Sequence, residues 1–244
     1  MSPAVAYTAL AASLAAAGLA WSVFHPASQT FAPVIRRIST PDSIALTFDD
    51  GPTPPFTTHI LEILRDRHLS ATFFIIGRHA SEHPGLIRRI ADEGHTLGNH
   101  SWDHHHFGIN HGRDYWRTQL SRTNDAILNI TGITPQLFRP PMGFKTWHLA
   151  AAARENHLRI VGWSARAFDT NPLTPDRLVA RLAPRLRPGA IIALHDGLEP
   201  ARQHKSQQTT VDALPPLLDL LAARRLRCVN LHSLETAAAP QAVA

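Results

Sequence analysis

Two adjacent carboxylates, Asp49 and Asp50, follow the apolar run Ile44-Ala45-Leu46 and precede Gly51-Pro52. The run reads as a short buried strand stopped by turn residues, so the pair lies where a strand becomes a loop. Neighbours in a strand point to opposite faces. At a strand end, backbone curl can instead bring both toward one cavity. Two bare carboxylates that close repel each other unless a cation or an arginine holds them. The stretch therefore calls for a cationic partner elsewhere in the chain. The plainer alternative is a solvated Asp-Gly turn.

His100 and His104 are four residues apart. That spacing places two imidazoles on one side of a helical turn, where both can reach one cation. The alternative is a histidine-rich surface loop, since His105, His106 and His111 follow. With one carboxylate from the first strand, the two histidines make three protein ligands and leave a position open, as at a catalytic metal. Cys228 is the single cysteine, so neither an internal disulfide nor a cysteine-rich zinc ribbon can form. Any metal is then left to histidine and carboxylate. Zinc suits such ligands, and cobalt, nickel and manganese also fit. The other aspartate is placed to take a proton from a nearby water. Arg139 could pair with that carboxylate and keep it ionised. His195 could donate a proton to a leaving group. For both residues an ordinary surface ion pair or hydrogen bond is the alternative. Together the set describes metal-assisted hydrolysis of an amide or ester.

The elements that must position these residues alternate. Strands are expected at Ile44–Leu46, Ala71–Ile76, Thr96–Gly98, Gln136–Phe138, Leu158–Trp163, Ala190–Leu194 and Leu226–Leu231. Helices are expected at Thr57–Arg67, Pro84–Glu93, Arg113–Ile130, Thr146–Asn156, Pro175–Leu186 and Asp212–Ala223. About seven alternations imply parallel strands joined by helical crossovers. The roughly 195 residues available are slightly short for eight units. The expected fold class is α/β, an irregular or incomplete (β/α) barrel, distorted and TIM-like, with about seven β/α units. Chemistry in such a fold gathers at the C-terminal strand ends. Those ends carry Asp49-Asp50, Asn99 to His104, Phe138 to Gly143, Trp163 with Asp169 a little later, and Leu194 to Gly197.

Composition bounds the rest. The 244 residues are 44% hydrophobic, enough for a sizeable core. Net charge is +5, and only Lys145 and Lys205 are lysines. This balance favours anionic surroundings. No dense basic run interleaved with aromatics is present, which argues against nucleic acid. Residues 4–24 are apolar and alanine-rich, the length of a membrane span or a signal peptide, with Gly18-Leu19-Ala20 at a cleavage-like spacing. No Lys or Arg precedes Arg36, so the basic start of a signal peptide is missing, and Arg36-Arg37 follow the segment. The expected division is a signal or membrane segment at 1–24, a connector at 25–41, a catalytic domain at 42–236 and a tail at 237–244. Export or membrane attachment, at the cell envelope or in the periplasm, is the expected location; a cytoplasmic chain with a buried N-terminal helix is the alternative. The chain is expected to act as a monomer.

From about Ser43 to Ser233 the sequence resembles the NodB-homology polysaccharide deacetylases, carbohydrate esterase family four. Its motifs look like Thr47 to Pro52, His100 to His104, Arg139 to Gly143 and Ile192 to His195. The resemblance implies Asp49 as general base, with Asp50, His100 and His104 as metal ligands. It implies Arg139 as partner of the base, His195 as general acid, and Leu194 as part of an acetyl-methyl pocket. Two departures stand out. Met142 occupies a position that is usually aromatic in the family, where the backbone N–H faces the oxyanion. The Asp-Trp of another motif is matched only by Asp169-Thr170, so Asp169 is assigned to orient His195, and Trp163 to line the pocket instead. The activity implied is removal of N-acetyl groups from a GlcNAc-containing polysaccharide or oligosaccharide, of chitin-oligomer or peptidoglycan type, by a divalent metal. Hydrolysis of an O-acetyl ester or N-formyl sugar, or a silent carbohydrate-binding relative, are the alternatives.

Overall fold

The computed structural model describes residues 3–106, 108–199 and 206–232; the tail at 237–244 and the last residues of the expected catalytic domain lie outside these. In chain order the described elements are α1 (Pro3–Phe24), β1 (Val34–Ile35), β2 (Ser43–Asp49), α2 (Phe56–Asp66), β3 (Thr72–Ile75), α3 (Gly77–Glu82), α4 (Pro84–Asp92) and β4 (Thr96–Asn99). They continue with α5 (Arg113–Thr131), β5 (Leu137–Phe138), α6 (Trp147–Glu155), β6 (Arg159–Val161), β7 (Ala165–Arg166), α7 (Pro175–Leu182), β8 (Ile191–His195), α8 (Gln208–Ala223) and β9 (Arg227–Val229).

The strands form one parallel sheet in the order β1-β6-β5-β4-β3-β2-β8-β7, with β9 also on β2. β6 and β7 stand near opposite ends of that order, yet only Gly162, Trp163 and Ser164 separate them in sequence. So short a link can join them only if the sheet curls until its edges face each other. Gly162 N donates to Ile35 O on β1, and Ser164 N donates to Ile191 O on β8. The fold is a curled parallel sheet forming an open half-barrel, with helices outside.

Strand alternation sorts the side chains. Ile44, Leu46 and Phe48 of β2, with Ile192 and Leu194 of β8, pack outward against the helices in one large core. Ala45 and Ile191 face inward with Phe74, Leu137 and Val161 and floor the barrel. Thr47 and Asp49 share the parity of Ala45, and Ala193 and His195 that of Ile191. The inward rows therefore run from an apolar floor to polar groups at the C-terminal ends. α2 presents Ile60, Leu61 and Leu64 to the core at helical spacing.

Some local expectations change. The segment 25–41 contains β1, which completes the sheet edge beside β6. A short helix not expected from the sequence, α3, begins at Gly77 directly after the strand. β7 was hidden in a two-residue length, too short to show alternation. α8 starts at Gln208, earlier than Asp212, and the helix from Pro175 ends at Leu182 before a 3₁₀ turn at Ala183–Arg185.

Candidate active site

Asp49 ends β2 and Asp50 follows it. Asp50 has a backbone φ of 72°, in the left-handed region that residues other than glycine rarely adopt. This turn breaks the strand alternation and sends both carboxylates to the same side. The conformation is held locally: His79 Nδ1 contacts Asp50 O at 2.8 Å, and Ile76 N donates to Gly51 O at 3.1 Å. Ser101, His104, Met142 and Phe168 also have positive φ. Such residues gather where a surrounding fold over-determines a site.

His100 and His104 do converge, but not on a helical turn. Residues 100–104 form a loop that leaves β4, and the imidazole centroids are 4.9 Å apart. The loop is clamped from below. Asn99 donates to Leu120 O and accepts from Ser101 N; Gln119 Oε1 accepts from Trp102 N and Asp103 N; Ser101 Oγ accepts from His104 N. Asp50 Oδ1 is 3.2 Å from His100 Nε2 and 3.5 Å from His104 Nε2. His100 Nδ1 is 2.6 Å from Arg139 O. A carbonyl only accepts, so Nδ1 carries a proton and Nε2 is the nitrogen turned toward Asp50. Asp50 Oδ1 is itself buried without a hydrogen bond. A buried carboxylate oxygen with no hydrogen bond, faced by two imidazole nitrogens, fits a bound cation, and the three ligand atoms lie within 4.8 Å of one another. Burial alone would raise the Asp50 pKa, but His104, His100 and His195 outweigh it and hold the carboxyl well below its usual range.

Asp49 is engaged differently. Arg139 Nη1 donates to Asp49 Oδ1 at 2.6 Å and to Thr47 Oγ1 at 2.7 Å, while Nη2 donates to Gly162 O at 3.0 Å. The guanidinium lies over the Phe74 ring at 4.1 Å. Burial pulls the Arg139 pKa down and Asp49 opposes it; arginine stays charged regardless.

His195 is the register partner of Asp49 on the neighbouring strand β8. Its Nδ1 is 2.9 Å from Asp169 Oδ1, and its backbone N donates to Asp169 Oδ2 at 2.8 Å. Thr210 Oγ1 also donates to Asp169. Burial would lower the His195 pKa, but the Asp169 carboxylate overrides it and pushes it up to about 10.

Asp49, Asp50, His100, His104 and His195 border a cavity of about 350 Å³, lined also by Met142, Trp163 and Ala193. Leu194 is not among the residues lining it. Its parity turns it into the helix-side core, and Ala193 takes the inward place. Glu199 and His106 were not singled out from sequence. Glu199 Oε2 is 3.1 Å from His104 Nδ1 and also contacts His106 Nε2. A carboxylate on the far nitrogen orients an imidazole toward a cation. Nothing in the sequence marked Glu199, because its partner comes from a distant loop.

Residues 36–161 match the polysaccharide deacetylase family model. The chain is 33% identical over 192 residues to a peptidoglycan-N-acetylglucosamine deacetylase of Bacillus cereus, spanning 78% of this chain and 67% of that one. It is 34% identical over 200 residues to a chitooligosaccharide deacetylase of a Bradyrhizobium species, spanning 77% and 88%. Its fold matches the crystal structure of the Bc1960 peptidoglycan N-acetylglucosamine deacetylase, in complex with 4-naphthalen-1-yl-N-oxidanyl-benzamide. The TM-score is 0.76 at 30% identity, over 88% of this chain and 94% of that one. The chain belongs to the polysaccharide deacetylase family and is a hydrolase.

Proposed function

We propose that the protein removes N-acetyl groups from a GlcNAc-containing glycan and releases acetate, using a divalent cation held by Asp50, His100 and His104. The observation that carries this reading is the convergence of Asp50 Oδ1 with Nε2 of His100 and Nε2 of His104, next to the register pair Asp49 and His195. When bound, a divalent ion such as zinc supplies Lewis-acid activation of water and of the acyl oxygen. Asp49 accepts the proton of the attacking water, kept ionised by Arg139. His195, held as imidazolium by Asp169, gives a proton to the departing amine. Met142 and Trp163 shape the cavity that receives the sugar. The glycan-deacetylating relatives named above support the substrate class, and residues 42–236 are the catalytic unit of this reading.

The N-terminal helix supports a place at the membrane or outside it. The test is acetate release from N-acetylated chitin oligomers against O-acetylated xylan, with chelation and metal replacement. Hydrolysis of the oligomers, lost on chelation and restored by zinc or cobalt, is expected. Release from xylan alone would make the protein an ester hydrolase, and no release from either would make it a silent relative.

A further inference from the structure

α1 is unlike the other helices. Its stretch Tyr7–Phe24 is long and apolar enough to cross a membrane, and none of it is buried against the described chain. Its 22 residues span about 33 Å at 1.5 Å each, close to the thickness of a bilayer's hydrocarbon layer. It carries no charged side chain. Its threonine and serine hydroxyls turn back on the helix: Thr8 donates to Val5 O, Ser13 to Ala9 O and Ser22 to Gly18 O. These bonds leave the hydroxyl protons with no need of water. A helix made for a protein groove has one apolar and one polar face. Here exposed Val5, Leu10, Leu14 and Leu19 go around the axis, which suits lipid. Exposed Tyr7 and Trp21 lie toward its two ends, where aromatics meet a bilayer interface.

The junction with the catalytic domain is bonded. Lys145 N donates to Val23 O at 3.0 Å, and Lys145 Nζ donates to His25 O at 3.2 Å. Phe24 meets Phe144 edge-on at 5.0 Å, and Thr30 Oγ1 donates to Ser22 Oγ. Phe24, the last residue of α1, and Pro26 line the same cavity as Asp49 and His195. Phe24, Met142 and Phe168 all border that cavity and are each 46% exposed. Trp147, two residues past Lys145, is 68% exposed.

We propose that α1 is a rigid membrane stem and that the catalytic cleft opens at the bilayer surface from which the stem emerges. The proposal rests on the deacetylase reading and adds where the substrate is met: an N-acetylated glycan attached to, or lying on, a lipid surface. The rim of Phe24, Met142 and Phe168 is then the part of the domain nearest the lipid.

The full chain is reconstituted in phosphatidylcholine–phosphatidylglycerol vesicles whose acyl chains carry bromine either near the headgroup or near the bilayer centre. Tryptophan fluorescence is compared with that of the Trp21→Phe and Trp147→Phe variants. Quenching of both Trp21 and Trp147 by the shallow bromines is expected, so each substitution removes part of it. Quenching of Trp21 alone would show the domain face beside the stem, with the cleft rim it carries, held away from the lipid and overturn the proposal. Quenching of neither, as in a soluble chain or a cluster of packed stems, would overturn it as well. Acetate release from a soluble chitin oligomer, measured on the same vesicles, separates the two readings. Release with Trp147 unquenched defeats the placement alone; quenching of both tryptophans without release supports the placement and defeats the deacetylase assignment.

Discussion

Arg139 Nη1 donates to Asp49 Oδ1 at 2.6 Å, with the arginine side chain fully buried and the aspartate side chain only 5% exposed. The pair is a desolvated ion pair inside the half-barrel, fixed also by Thr47 and Gly162. Removing one partner of such a pair strands the other charge. Arg139→Met should cost about 3–5 kcal/mol of stability, measured by urea unfolding. A loss below about 1 kcal/mol would show that cavity water solvates the stranded Asp49 and that the pair is not desolvated.

The two neighbouring aspartates should fail in different ways. Asp50→Ala should lose metal, because its Oδ1 faces both histidines. Asp49→Asn should keep metal while turnover falls roughly 10²–10⁴-fold. Metal content and rate are measured on the same preparations. Equal metal loss in both variants would refute the division of roles.

In the proposed reaction His195 is the general acid and sets the alkaline limit. Asp169 raises its pKa from the ordinary 6.5 to about 10, so the fold prefers the imidazolium. The resulting stabilisation is fully present below pH 6.5 and is lost as pH rises through about 10. Turnover that needs the acid form declines over the same upper range. Asp169→Asn should move the alkaline limb of the pH–rate profile to lower pH. His195→Ala should cost roughly 10²–10⁴-fold on an N-acetyl substrate and much less on an activated acetyl ester, whose leaving group departs without protonation. A limb unmoved by Asp169→Asn, or equal losses on amide and ester, would give His195 another role.

Gly51 is required by close approach. A Cβ there would overlap the Asp196 carboxylate, which accepts from Thr57 Oγ1 at 2.6 Å and whose pKa burial pushes up to about 7. Gly51→Ala should destabilise by about 1–3 kcal/mol and disturb Asp50 next to it. Thermal unfolding together with metal affinity would measure both effects. An unchanged melting temperature would show that the Asp196 loop yields freely.

Much of this protein was already readable from local pattern. The alternation of strand and helix implied a parallel sheet with helical crossovers, and the polar residues at strand ends marked where chemistry collects. Strand parity alone places Thr47 and Asp49 with Ala45, and Ala193 and His195 with Ile191; the same rule turns Leu194 away from the cleft. Parity could not place Asp50. By alternation it should oppose Asp49, and only a left-handed φ, held by His79 and the β3–α3 junction, brings it round. The spacing of His100 and His104 suggested a helix, whereas a loop tied to Asn99 and Gln119 makes them converge. Glu199 behind His104, the meeting of the sheet edges across Gly162–Ser164, and Phe24 in the cleft wall all join segments far apart in sequence. Side-chain type and period are local properties of the chain, so the sequence by itself determined the strands other than β1 and β7, their faces and the candidate chemical groups. Which groups meet depends on how far the sheet curls and where each loop is tied down, and only the tertiary structure decided that.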